Sequence, residues 1–168
     1  MTLLQRLNAK ASDSEYSTTG SSDGNAMVEF AIVAPMFLLL VIACMEFAVL
    51  FNVQMTLQSA VRAAGRYAIT GNHLPDPLHS GQMLSRVASI TKIAQQEAMG
   101  LDVSGIAISS TVGGSGNAGG PGDTVTISLT SAVPILTPLF TQFFMNGQYT
   151  TTARVSFRNE PFPPANTL

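Results

Sequence analysis

Glu29 and Glu46 stand where a carboxylate is costly. They interrupt the run AMVEFAIVAPMFLLLVIACMEFAVLF, Ala26 to Phe51, which holds no other charged side chain. An ionised group at the middle of a membrane helix costs about 2.5–3.5 kcal/mol on insertion scales, so Glu29 is a functional candidate by position. A carboxylate in a first helical turn complements the positive end of the helix dipole. The plainer alternative is a carboxylate at the membrane edge that touches only its own helix. Glu46, 17 residues on, reads first as an interfacial carboxylate facing water and second as a subunit contact.

Other chemistry finds little footing. Cys44 is the only cysteine, which excludes an intramolecular disulfide framework and a Cys-rich zinc module. His73 and His79 flank two prolines with no third ligand nearby, so no metal site is expected and both read as loop residues. No Gly-x-Ser-x-Gly, His-Glu-x-x-His or close carboxylate pair outside the apolar run occurs, and the chain is read as no enzyme, without cofactors. Charged residues are only 11% of the chain, against roughly 25% in typical globular proteins. Lysine occurs only at Lys10 and Lys92 and no basic run exists, so nucleic acid is not an expected partner.

The elements that position these groups follow from pattern. Twenty-six residues from Ala26 to Phe51 give roughly 39 Å of helix, enough for a hydrocarbon core of about 30 Å. A buried core helix is the alternative, but a chain of this size rarely wraps 26 residues on every side. The pattern then narrows without a breaker. Val53, Leu57, Ala60, Val61, Ala64 and Ala68 form one apolar stripe, with Gln54, Gln58, Arg62 and Arg66 opposite. One helix is therefore expected from about Ala26 to Ile69, apolar all round in its first half and amphipathic in its second, with Gly71 as its stop. Pro35 is a candidate kink, since proline removes one helical hydrogen bond. Arg62 and Arg66 read as a solvated face or as a subunit contact.

Downstream, Ser80 is the expected cap of a second helix over Gly81–Met99, stopped by Gly100. Strands are expected at Val103–Thr111, with a bulge at Gly105, at Asp123–Thr130 and at Tyr149–Phe157. VGGSGNAGGPGD, with six glycines, reads as a flexible hairpin loop rather than a phosphate cradle, because no Lys-Ser/Thr pair follows. A short helix is expected around Pro138–Met145. Its Phe140, Phe143 and Phe144 are core or an exposed patch, with core favoured. The tail PFPPANTL reads as extended and mobile. The fold class is α+β: a long N-terminal helix, then a small three-stranded sheet with one or two packed helices.

The junction GNAMVEFAIVAP carries a resemblance. Gly24, four residues, Glu29 and the aromatic Phe30 at the mouth of an apolar helix resemble a type IV prepilin processing site. With MEF at Met45–Phe47, VRAAGRYAITG at Val61–Gly71 and TTARVSFRNEP at Thr151–Pro161, the chain resembles the TadE-like pilin-like proteins of bacterial tight-adherence (Tad, Flp) pilus systems. The resemblance implies a pilin-like fold and cleavage between Gly24 and Asn25 by a prepilin peptidase. It implies assembly through Glu29 and Phe30 with other pilin and pseudopilin subunits, at a pilus assembly platform, and a part in priming or capping the filament and in adhesion. The division it suggests is a cytoplasmic leader 1–24, a transmembrane half 25–51 in contact with lipid, an amphipathic half 52–71 and an extracytoplasmic domain 72–168. The chain would sit in the bacterial inner membrane with a cytoplasmic N-terminus and pass into a surface pilus. The alternative is a permanently anchored single-span envelope protein that scaffolds or binds a partner in the assembly machine. Under the pilin reading, coexpression with the host's prepilin peptidase yields a chain starting at Asn25, while Gly24→Leu stays full length. Intact mass and N-terminal sequencing of both check this.

Overall fold

A computed structural model describes residues 20–163, with side chains from Gly24 onward apart from Met145. Most of the expected leader, residues 1–19, and the last five residues of the tail lie outside the described residues. The chain divides into two compact units, Met1–Cys44 and Met45–Leu168. The first described element, α1, is Gly20–Ile69. It begins earlier than the expected start near Ala26 and ends where expected. In the first unit nearly every described side chain of α1 is exposed, and only Ala34, Val41 and Ile42 (the last two just before Cys44) are half-buried. No part of its most apolar stretch is covered by the protein, which overturns the alternative of a buried core helix.

In the second unit the same helix becomes one-sided. Val53, Leu57, Ala60, Val61, Ala64 and Ala68 are buried, as the three-four spacing requires. Gly71 then turns the chain with φ +67°, a conformation that L side chains rarely adopt. The second helix, α2, is Arg86–Glu97 and is shorter than expected. Its cap is Ser85, not Ser80, with Ser85 Oγ accepting from Ala88 N at 3.2 Å. Ser80 is taken up by a turn instead. The Asp76 amide donates to Gln82 O, Leu84 N donates to Leu74 O, and Pro75 bridges Met83. Leu78 N and then the His79 ring hold the Asp76 carboxyl below its usual range.

The sheet has four strands rather than three: β1 (Gly105–Ser110), β2 (Gly114–Ser115), β3 (Thr124–Pro134) and β4 (Gln148–Arg158). The order is β2-β1-β3-β4 and every pair is antiparallel. The fourth strand arises inside the glycine-rich segment, whose first part folds back on β1. Gly105 makes no bulge; it opens β1 opposite Thr130 in an unbroken register. Alternation sorts the faces. Val125, Ile127, Leu129 and Ala153 are buried against both helices with Ile90, Ala94 and Ile108. The other face carries hydroxyl pairs, Thr126 with Ser156 at 2.8 Å and Thr130 with Thr152 at 3.0 Å.

Arg86 fastens three distant segments. It is 1% exposed. It donates to Gly119 O, and to Ala68 O at 2.6 Å, and its guanidinium lies 4.6 Å from the centre of the Phe162 ring. Burial pushes its pKa down. A cation in a first helical turn is unfavourable for its own helix, but Ala68 O belongs to the last turn of α1, where free carbonyls carry negative charge. Asn159 completes the closure, donating to Ala118 O and Gly120 O at 2.9 Å each. The glycine-rich segment is thus pinned rather than loose. Likewise the tail is not free at its start, since Phe162 is buried.

Gly65 marks the closest approach of α1 to the sheet. A Cβ there would land inside the Phe157 ring and 3.1 Å from Val155 Cγ1. Alanine normally stabilises a helix interior over glycine by about 1 kcal/mol. Gly65→Ala should instead destabilise, by about 1–3 kcal/mol from overpacking. In a Phe157→Ala background the same change should turn stabilising. Thermal unfolding of the four proteins in the cycle checks the sign reversal.

Candidate functional site

The processing-type junction lies in the first unit. Gly24, Asn25, Glu29 and Phe30 are all in α1 and all exposed. A Cβ on Gly24 would meet nothing, so Gly24 answers no packing demand within the chain. The Gly24–Asn25 bond lies four residues inside the helix, whereas a scissile bond must be presented in extended form. The opening residues Gly20, Ser21, Ser22, Asp23 and Gly24 are weak helix formers, each up to about 1 kcal/mol worse than alanine, so this turn opens at small cost. Glu29 has no ion pair among the described residues. Phe30, Ala31, Val33, Ala34, Phe37 and Leu38 form an apolar recess beside Pro35.

Glu46 lies in the second unit and does not face water as expected. It is 8% exposed. Its carboxylate accepts from Leu136 N at 2.9 Å and from Thr137 Oγ1 at 3.0 Å. These partners are about 90 residues away, so no local spacing announces them. The carboxylate ties the segment after β3 to α1, and Thr137 thereby sits at the start of the short helix α3, Pro138–Thr141. That helix has no buried residue; Phe143 beyond it is exposed and Phe140 and Phe144 are half-buried. The expectation that these rings form core is corrected. The segment is short and proline-interrupted, and Leu57, Ile127 and Leu129 already fill the core.

Arg62 and Arg66 are exposed. Arg62 shares a polar groove with Gln54, Gln58, Thr152 and Arg154, beside the outer edge of β4. Gln54 also accepts from Thr151 Oγ1. His73 Nδ1 lies 2.8 Å from Leu84 O and His79 pairs with Asp76, so both histidines serve the turn after α1. Among the described residues no cluster of three or more metal-ligating side chains occurs. Arg86 was not singled out by spacing; the signal available was an arginine directly after a capping serine, where acidic residues are preferred.

Removing the Glu46 carboxylate leaves the Leu136 amide without its acceptor, a loss of about 1–3 kcal/mol confined to this segment. In Glu46→Ala, amide exchange over residues 135–147 should therefore speed up by about tenfold. Exchange within β1 and β3 should stay unchanged. Glu46→Gln, which keeps one oxygen acceptor, should fall between. Hydrogen-exchange mass spectrometry on the detergent-solubilised chain checks all three.

Comparison with known proteins agrees with this geometry. No curated protein and no solved structure matches the chain. The model of the TadE-like protein family matches residues 24–66, about a quarter of the chain. The match opens on Gly24 and closes on Arg66, so it takes in every candidate residue of α1: Gly24, Asn25, Glu29, Phe30, Pro35, Glu46, Arg62 and Arg66. From Gly24 to Arg66, the stretch that holds the junction and both carboxylates, the chain is similar to the TadE-like protein family.

Proposed function

We propose that this chain is a minor pilin or pseudopilin of a Tad (Flp-type) pilus. The observation that carries the reading is Glu29, a carboxylate five residues after Gly24 on an exposed apolar helix, within a TadE-like segment that begins at Gly24. A prepilin peptidase cuts after Gly24 and frees the amine of Asn25. The helix stays in the inner membrane with its N-terminus on the cytoplasmic side. A lone carboxylate costs about 2.5–3.5 kcal/mol at the centre of a membrane helix and less at its entry, where Glu29 stands. Pairing with the Asn25 amine of a neighbouring subunit removes much of that cost, and the apolar recess around Pro35 receives the neighbour's helix. Assembly thus draws on the residue that makes the isolated span unfavourable. The domain carried outside primes, caps or decorates the filament and takes part in adhesion, and no catalysis or cofactor is needed.

A second reading, a permanently anchored scaffold, draws support from the helical backbone at the Gly24–Asn25 bond. The two differ in whether the protein leaves the membrane. The pilin reading expects the wild-type chain in sheared, purified pili. It expects Glu29→Gln to be cut and held in the membrane at wild-type level, yet reduced in pili on the order of tenfold. Equal incorporation of Glu29→Gln would remove the amine-pairing role. Absence of both proteins from pili would favour the anchor.

A further inference from the structure

The segment between β3 and β4 presents apolar side chains that the domain does not use. Leu136, Leu139 and Phe143 are 69%, 46% and 74% exposed. They do not hang free, because Glu46 holds Leu136 and Thr137 against α1. On α1 beside this contact, Phe47 and Phe51 are also exposed, with ring centres 6.5 Å apart. Phe47, Leu50, Phe51 and Gln54 form a recess with Tyr149, and Tyr149 meets Phe144 edge-on at 6.3 Å. The Phe144–Tyr149 contact thus links the recess on α1 to the segment that follows α3.

Three observations say what covers it. From Thr124 through Ala153 the chain has no charged side chain. Many of the segment's polar groups are met within the segment itself. Phe140, Phe143, Phe144 and Gly147 donate their amides to Thr137, Phe140, Thr141 and Phe144, while Thr141 Oγ1 and Gln142 Nε2 donate to Pro138 O and Leu139 O. Pro138 has no amide to satisfy. Backbone donors met within the segment lower the cost of placing it at the edge of a hydrocarbon phase. Finally, about 20 helical residues cross a core of about 30 Å, so a span entered at Glu29 leaves near Val49. Glu46, and with it Leu136, falls at that boundary.

We propose that Pro134–Gly147 is a membrane foot: Leu136, Leu139 and Phe143 seat in the headgroup–acyl boundary of the leaflet where the span emerges. The proposal rests on residues 25–51 being a membrane span and not on pilus assembly. The foot gives the domain a second attachment and fixes which face looks along the membrane. An assembling subunit must release it together with the helix.

The chain contains no tryptophan, so single replacements report position cleanly. Full-length Phe143→Trp, Phe37→Trp and Val112→Trp are reconstituted in phosphatidylethanolamine–phosphatidylglycerol vesicles with bromines placed near the headgroup or near the chain end. A ring about 5–10 Å into the interface should give blue-shifted emission and about twofold quenching by shallow bromines for Phe143→Trp. Phe37→Trp should be quenched by deep bromines, and Val112→Trp, on the β1–β2 turn, by neither. Leu139→Trp repeats the reading should Phe143→Trp fail to fold. Water-like, unquenched emission at Phe143→Trp with Phe37→Trp quenched overturns the foot and leaves the span. Blue-shifted emission that bromolipid does not quench and that fades as lipid is added means that a second copy covers the segment, and also overturns it. An unquenched Phe37→Trp removes the span, and the foot with it.

Discussion

The closeness of α1 to the sheet is the constraint on which the second unit depends. Along the buried stripe Ala60, Ala64, Gly65 and Ala68 let the sheet come close, while Leu57 and Val61 supply bulk. From the other side Ile108, Val125, Ile127, Leu129 and the Phe157 ring fill the space. A face packed so closely tolerates no slip, since shifting β3 by one residue would turn Thr126 and Ser128 inward. The unbroken pairing of β3 with β4 over their whole length satisfies that demand. A small domain buries a modest share of its surface, and here much of that share lies in this one contact.

The two carboxylates of α1 show how surroundings divide one chemistry into two roles. Glu46 meets a backbone amide and a hydroxyl of its own chain, and its oxygens are spoken for. Glu29 stands on an exposed helical face with no ion pair among the described residues. The fold itself accounts for the former; on the function proposed above, the latter serves an encounter between subunits.

Much of the fold was legible because it rests on short-range pattern. The change in α1 from apolar all round to a single stripe, and the alternation Val125, Ile127, Leu129, are periodicities that survive without knowledge of partners. Reading failed where a distant contact decided the outcome. Ser80 has the chemistry of a cap as good as Ser85, but the hydrogen bonds between 74–76 and 82–84 remove it from use. The glycine-rich segment looked loose because Arg86 and Asn159, which pin it, lie some 30–40 residues away. At the candidate site, the junction from Gly24 to Phe30 was legible as a glycine, four residues, a glutamate and an adjacent aromatic. The partners of Glu46 could not, since nothing near it in sequence names Leu136 or Thr137.

Arg86 carries a consequence for the order of synthesis. Its three counterparts, Ala68, Gly119 and Phe162, emerge before it, well after it and later still. Until residue 162 has left the ribosome, a buried cation has no lid and the groove at the end of α1 stays open to water. Domains emerging N-terminus first at about 5–20 residues per second wait several seconds between the second helix and that closure. A chain that stops before Phe162 would leave the Arg86 guanidinium without its ring cover.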